Sequence, residues 1–154
     1  MDPLEQKCLA RLQRLCSKAE YCTADIRRKA LKDLEGDTAA AERVVRSLVE
    51  DRFVDDLRYA SAFVREKSAI QGWGALKIRF QLRAKGIAEE VIAQALEQVE
   101  PAKAADRLDR LMAAKARSLA GDPQLRLKLL RYGLSRGYQY PEVEASFARI
   151  KNNS

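Results

Sequence analysis

The chain has 154 residues, 29 of them Lys or Arg and 22 Asp or Glu, which leaves a formal net charge of +7. Histidine is absent, which removes the commonest general base and the commonest metal ligand. Cys8, Cys16 and Cys22 are odd in number and form no Cys-x-x-Cys pair, so neither a disulfide framework nor a zinc site is expected.

Taken in order, the chain reads as helix after helix. Met1-Asp2-Pro3-Leu4-Glu5 lacks the basic-then-apolar pattern of a signal peptide. Helices are predicted over 4–19, 24–35, 39–51, 56–70, 75–85, 89–100, 102–120, 123–136 and 141–151, from apolar periodicity between cap and stop signals. Cys8 and Cys16 share a face of the first helix and are expected in the core, as reduced thiols of a cytosolic chain. Thr23 and Thr38 are expected N-caps. Asp122-Pro123 and Tyr140-Pro141 each place a proline at a helix start, and Pro101 marks the entry to the seventh helix. The longest uncharged stretch, Ser68 to Leu76, is too short to cross a bilayer.

Gly36, Gly86 and Gly137 recur at intervals of 50 and 51 residues, each after a charged residue and each closing the second helix of a set of three. The third helices echo one another: Val45, Leu48 and Val49 align with Ile92, Ala95 and Leu96, then with Val143, Ser146 and Phe147. The expected fold is all-α, three tandem three-helix modules over residues 1–54, 55–100 and 101–154. They should form an elongated, curved, solenoid-like row, monomeric in solution. The charge is uneven: the last module carries 11 basic and 5 acidic residues, or +6 of the total.

The middle module holds the most distinctive run. Asp55 is placed to cap a helix, and Asp56 adds a second negative charge at the positive end of its dipole. Tyr59, Ala60, Phe63 and Val64 recur at helical spacing as a buried stripe. Gly72-Trp73-Gly74 frees the backbone for a turn. A basic helix with Leu82 follows and ends at Lys85-Gly86-Ile87. This ordered set, over positions 55–87, resembles the RecX family of RecA regulators. The resemblance implies three tandem three-helix modules in a cytoplasmic protein. It also implies binding to the RecA–single-stranded DNA filament and modulation, most often inhibition, of its recombinase, ATPase and coprotease activities.

Three basic clusters lie on or near the second helices. They are Arg27, Arg28, Lys29 and Lys32; Lys77, Arg79, Arg83 and Lys85; and Arg126, Lys128, Arg131 and Arg136. Such a strip would meet phosphates or acidic side chains without reading sequence. The same charges would also serve as ordinary helix solvation. Arg79 and Arg83, one turn apart, should share an exposed face. Trp73 is either an exposed contact residue or a wedge packed between modules. Tyr132 and Tyr140 offer rings beside arginines, whereas Tyr138, following a helix-ending glycine, is expected in the core.

No catalytic set emerges. There is no Ser–His or Cys–His pair and no Walker A sequence, and adjacent Asp55 and Asp56 point in different directions on a helix. A binding protein without cofactor, metal or membrane anchor is expected. A helical module that binds DNA directly, without RecA, remains the alternative.

Overall fold

Asp2 and Pro3 open the first helix, as an acceptor beside a residue of fixed φ should. The Asp2 carboxylate accepts from the Glu5 amide at 2.8 Å. The computed structural model describes residues 1–153. Its α-helices are α1 (Pro3–Lys18), α2 (Thr23–Asp33), α3 (Thr38–Glu50), α4 (Asp56–Arg65), α5 (Ala75–Ala84), α6 (Glu89–Leu96), α7 (Pro101–Ser118), α8 (Leu125–Ser135) and α9 (Tyr140–Asn152). No strand occurs among the described residues, and the fold is all-α.

Packing divides the chain into two units. One holds residues 1–60 and 82–92, the other 61–81 and 93 onward. The dividing points fall inside α4, α5 and α6, the three helices of the expected middle module. In the first unit α1, α2 and α3 close over Cys8, Leu12, Ile26, Ala30, Val44 and Leu48. Ala40, Ala41, Val44, Val45 and Leu48 form the buried stripe of α3, at the spacing of one helical face. Each fully buried Leu or Ile contributes about 1.5–3 kcal/mol relative to exposure. In the second unit Leu108, Met112, Leu129, Tyr138 and Val143 form the core of α7, α8 and α9.

The echo among third helices is physical. Val45, Leu48, Ile92, Ala95, Val143 and Ser146 are all buried, whereas Leu96 and Phe147 are half-buried and Val49 is exposed. Ser146 is the polar exception. Its hydroxyl donates to Asp109 at 2.6 Å, and Arg149 donates to the same carboxylate at 2.9 Å through both Nε and a terminal nitrogen. A buried hydroxyl is tolerated because its partner is charged and well placed.

Several local expectations are corrected. Thr38 is not the cap of α3; Asp37 is, accepting from the Ala40 amide at 3.0 Å. A carboxylate competes well for that position, and it leaves Thr38 as the first helical residue. Pro123 does not begin α8. Asp122 instead turns back on the Gln124 amide at 2.8 Å, and the helix starts at Leu125. The fourth helix changes pitch: Glu66–Ile70 form a π-helical turn, with the Gln71 amide bonded to the Glu66 carbonyl at 3.2 Å. α6 ends at Leu96, short of the expected residue 100.

The repeat is also shifted by one residue in its first copy. α5 and α8 end with a left-handed Gly86 or Gly137, and the next amide bonds five residues back, Ile87 to Leu82 and Tyr138 to Gly133. At the end of α2 that left-handed place belongs to Glu35, with φ of 55°, and the Gly36 amide makes the bond back to Leu31. The equivalent positions are therefore Glu35, Gly86 and Gly137, 51 residues apart both times.

Candidate interaction surface

The paired acids after residue 54 do two different jobs. Asp55 caps its own helix, accepting from the Arg58 amide at 3.1 Å. Asp56 reaches the start of α2, accepting from the Thr23 amide at 2.7 Å and the Thr23 hydroxyl at 3.0 Å. Cys22 precedes α2 without capping it, so Asp56 supplies the missing acceptor to an orphan N–H. Thr23, the expected cap, is thus the group being capped. Ala60, Val64 and Leu82 are fully buried. Tyr59 and Phe63 are half-buried, flanking that stripe instead of completing it, and burial pushes the Tyr59 hydroxyl pKa up.

The glycines around Trp73 are there for close approach as well as for turning. Gly72 has φ of 70° and its carbonyl accepts from the buried Tyr138 hydroxyl at 3.0 Å. Tyr138 is core, as expected, and burial raises its pKa. Gly74 donates to the Arg136 carbonyl at 2.7 Å, and Leu76 donates to Gly137 at 3.0 Å. A methyl group on Gly74 would fall against the Gly137 carbonyl and 2.7 Å from the Tyr138 nitrogen. Trp73 is half-buried, edge-on to Phe63 with ring centroids 6.2 Å apart. Lys67 and Lys77 place their ammonium groups 4.9 and 4.5 Å from its centroid, within cation–π range. Lys67 was legible in principle as the residue one turn after Phe63.

The basic clusters are more neutralised than the sequence suggests. Arg27 pairs with Glu42 at 2.5 Å and Arg28 with Asp25. Arg83 binds Glu89 with two bonds of 2.6 and 2.8 Å, so its side chain is engaged across the turn after α5. Arg79 is half-buried and has a partner of its own; the pair does not form a free exposed patch. Lys128 pairs with Asp122 at 2.5 Å, and Arg126 with Glu144 at 3.5 Å. Arg136 donates to the Gln71 carbonyl, and Arg131 is exposed. Lys115 covers the ring of Tyr132 at 5.4 Å, while Tyr140 is 47% exposed.

One cluster does converge. Arg28, Lys29 and Lys32 of α2 and Lys85, just after α5, line a depression of about 410 Å³ around Tyr21 and Asp25. Lys29 lies 5.4 Å from the Tyr21 ring centroid, and Lys85 reaches Asp25 at 3.4 Å. The Lys85 carbonyl accepts from the buried Cys22 thiol at 3.6 Å, which fixes that segment against the start of α2. Four cations face one carboxylate here, a concave positive site with an aromatic floor. Sequence spacing separates Lys32 from Lys85 by more than fifty residues, so only the tertiary fold unites them.

The thiols are quiet. Cys8 is buried, and burial first, then the nearby Asp33 charge, pushes its pKa up to about 11. Burial also raises Cys16 and Cys22. Among the described residues no group of three or more His, Cys, Asp or Glu could hold a metal ion, and no helix is long and apolar enough to cross a membrane.

An all-helical repeat protein with a local basic depression is the class that this geometry defines. Residues 55–96 match the family model described as RecX, second three-helix domain. The regulatory protein RecX of Chromohalobacter salexigens is 30% identical over 142 residues, covering 92% of this chain and 91% of that protein. The RecX protein of Halalkalibacterium halodurans is 35% identical over 129 residues, 80% of this chain. A crystal structure of regulatory protein RecX superposes with a TM-score of 0.85 at 25% identity, over 97% of this chain and 72% of that one. The chain belongs to the RecX family of regulatory proteins. It spans about half the length of some relatives, 47% of the H. halodurans protein and 54% of that from Clostridium tetani.

Proposed function

We propose that the chain binds the RecA–single-stranded DNA filament and damps its recombinase, ATPase and coprotease activities, acting in the cytoplasm by occupancy and without turnover. Membership of the RecX family carries this reading. The depression lined by Arg28, Lys29, Lys32 and Lys85 supports it, since a concave positive surface suits a polyanionic filament. The net charge of +7 adds long-range attraction that acts mainly on encounter rate, carried more by Lys77, Arg131 and Arg136 than by Arg27, Arg83, Arg126 and Lys128, whose charges are offset by acids. In this reading the three-module organisation over 1–54, 55–100 and 101–154 presents repeated surfaces to a repeated partner.

The test is a DNA-dependent ATPase assay with purified RecA, titrating the chain and its Lys29→Glu, Lys32→Glu double variant. Wild type should slow hydrolysis, and the variant should need about tenfold more protein, an effect that shrinks at high salt. Affinity for bare single-stranded DNA equal to that for the filament, with no slowing of ATP hydrolysis, would overturn the proposal in favour of a direct DNA-binding module.

A further inference from the structure

α7, α8 and α9 leave an apolar groove of about 730 Å³, within the size range of sites that take small molecules or anchoring side chains, about 300–1,000 Å³. Its walls come from helical stripes. α7 contributes Arg110, Ala113 and Arg117, α8 contributes Leu125 and Leu129, and α9 contributes Phe147 and Ile150. The short side chains of Ala113 and Ala116 make the space, and the buried Leu129 closes its floor.

The chemistry of the rim differs from that of the floor. Arg110, Arg117 and Lys151 border the groove. Asp109, the acid in the lining, already accepts from Arg149 and Ser146, so the charge presented outward is positive. Arg126 lies 5.1 Å from the Phe147 ring centroid, its charge offset by Glu144 at 3.5 Å. We infer that this groove docks an acidic, amphipathic protein segment, its apolar side chains on Leu125, Leu129, Phe147 and Ile150 and its carboxylates on Arg110 and Arg117.

Two other occupants fit less well. A nucleic acid could set phosphates on the rim cations, but its sugars and phosphates would leave the apolar floor of Leu125, Leu129, Phe147 and Ile150 without an apolar partner. A second copy would oppose like charge, because residues 101–154 carry 11 basic and 5 acidic side chains. An acidic helix in an apolar groove satisfies both the floor and the rim.

The experiment uses the full chain and a fluorescein-labelled twelve-residue peptide of Asp and Glu with Leu and Phe at helical spacing, read by fluorescence anisotropy. The control probes are the same peptide with Ala for Leu and Phe, the same with Asn and Gln for the acids, and a labelled oligo-dT. The acidic amphipathic probe should bind, and each peptide control should bind at least about tenfold more weakly. The Arg110→Glu, Arg117→Glu variant, changed only at exposed positions, should lose about tenfold, and Ala113→Phe, which fills the groove, should lose more. RecA is absent, so failure of the filament reading leaves this result intact. Equal binding of the Ala probe, an unaffected Arg110→Glu, Arg117→Glu variant, or displacement of every peptide by oligo-dT at lower concentration would overturn it.

Discussion

Replacing Gly74 by alanine should cost far more than a methyl group ordinarily does. The new Cβ would strike the Gly137 carbonyl and sit 2.7 Å from the Tyr138 nitrogen. Both are backbone atoms, which no rotamer change can move aside. Overpacking of this kind costs about 1–3 kcal/mol. Relief by separation would stretch the Gly74–Arg136 and Leu76–Gly137 hydrogen bonds, now 2.7 and 3.0 Å, at about 1 kcal/mol each. The expected loss is therefore about 2–5 kcal/mol. Urea unfolding followed by circular dichroism measures it. With a slope of about 2 kcal/mol per molar, a 3 kcal/mol loss lowers the midpoint by about 1.5 M. Gly121→Ala is the control. Its φ of 83° imposes strain, but no atom lies within 4 Å of the added carbon, so only about 1–2 kcal/mol should go. If Gly74→Ala shifts the midpoint no more than Gly121→Ala does, the close approach of these two backbone segments is not what holds them.

Asp56→Ala should destabilise the chain by about 0.5–2 kcal/mol, the cost of an N-cap, and Asp56→Asn by less because an acceptor survives; thermal melts of the two variants check the order. Asp109 gives a pH signature. Burial raises its carboxyl pKa, but hydrogen bonds from Arg149 and Ser146 outweigh that and leave it below the ordinary value. A depressed folded pKa contributes stability above the unfolded value, near 3.9, and loses it as pH falls through the folded one. Asp109→Asn should accordingly lower stability at pH 6 and flatten its decline below pH 4, in denaturant titrations across that window. Cys16, half-buried, should react with a thiol reagent at pH 8 before Cys8, whose thiolate is scarce with a pKa of about 11; mass spectrometry of partly labelled protein shows the order.

Much of this molecule was legible without coordinates, because the signals were local. Asp55, Pro101 and Tyr140-Pro141 mark helix starts through the backbone groups beside them, and Gly86 and Gly137 mark ends through a left-handed φ that glycine adopts freely. Tyr138 was placed in the core by its position after such a glycine. Local rules failed where a partner distant in sequence decided the outcome. Asp56 works chiefly on Thr23, which no spacing rule within one helix would reveal. Glu35 turns left-handed one residue ahead of Gly36, which is left-handed too, and this shifts the first copy of the repeat by one residue. Gly74 reads as a turn residue, but its lack of a side chain is needed because Gly137 lies against it.

The surface shows the same division. Sequence alone determined which residues are basic and that they recur on the second helices. It did not determine which of them meet an acid: Arg27 meets Glu42 and Arg83 meets Glu89, whereas Lys32 and Lys85 come together at Tyr21. Helix formation depends on neighbours three or four residues away, so the chain's order is enough to read it. Charge pairing and concavity depend on side chains that folding brings together from tens of residues apart, and only the tertiary structure decides them.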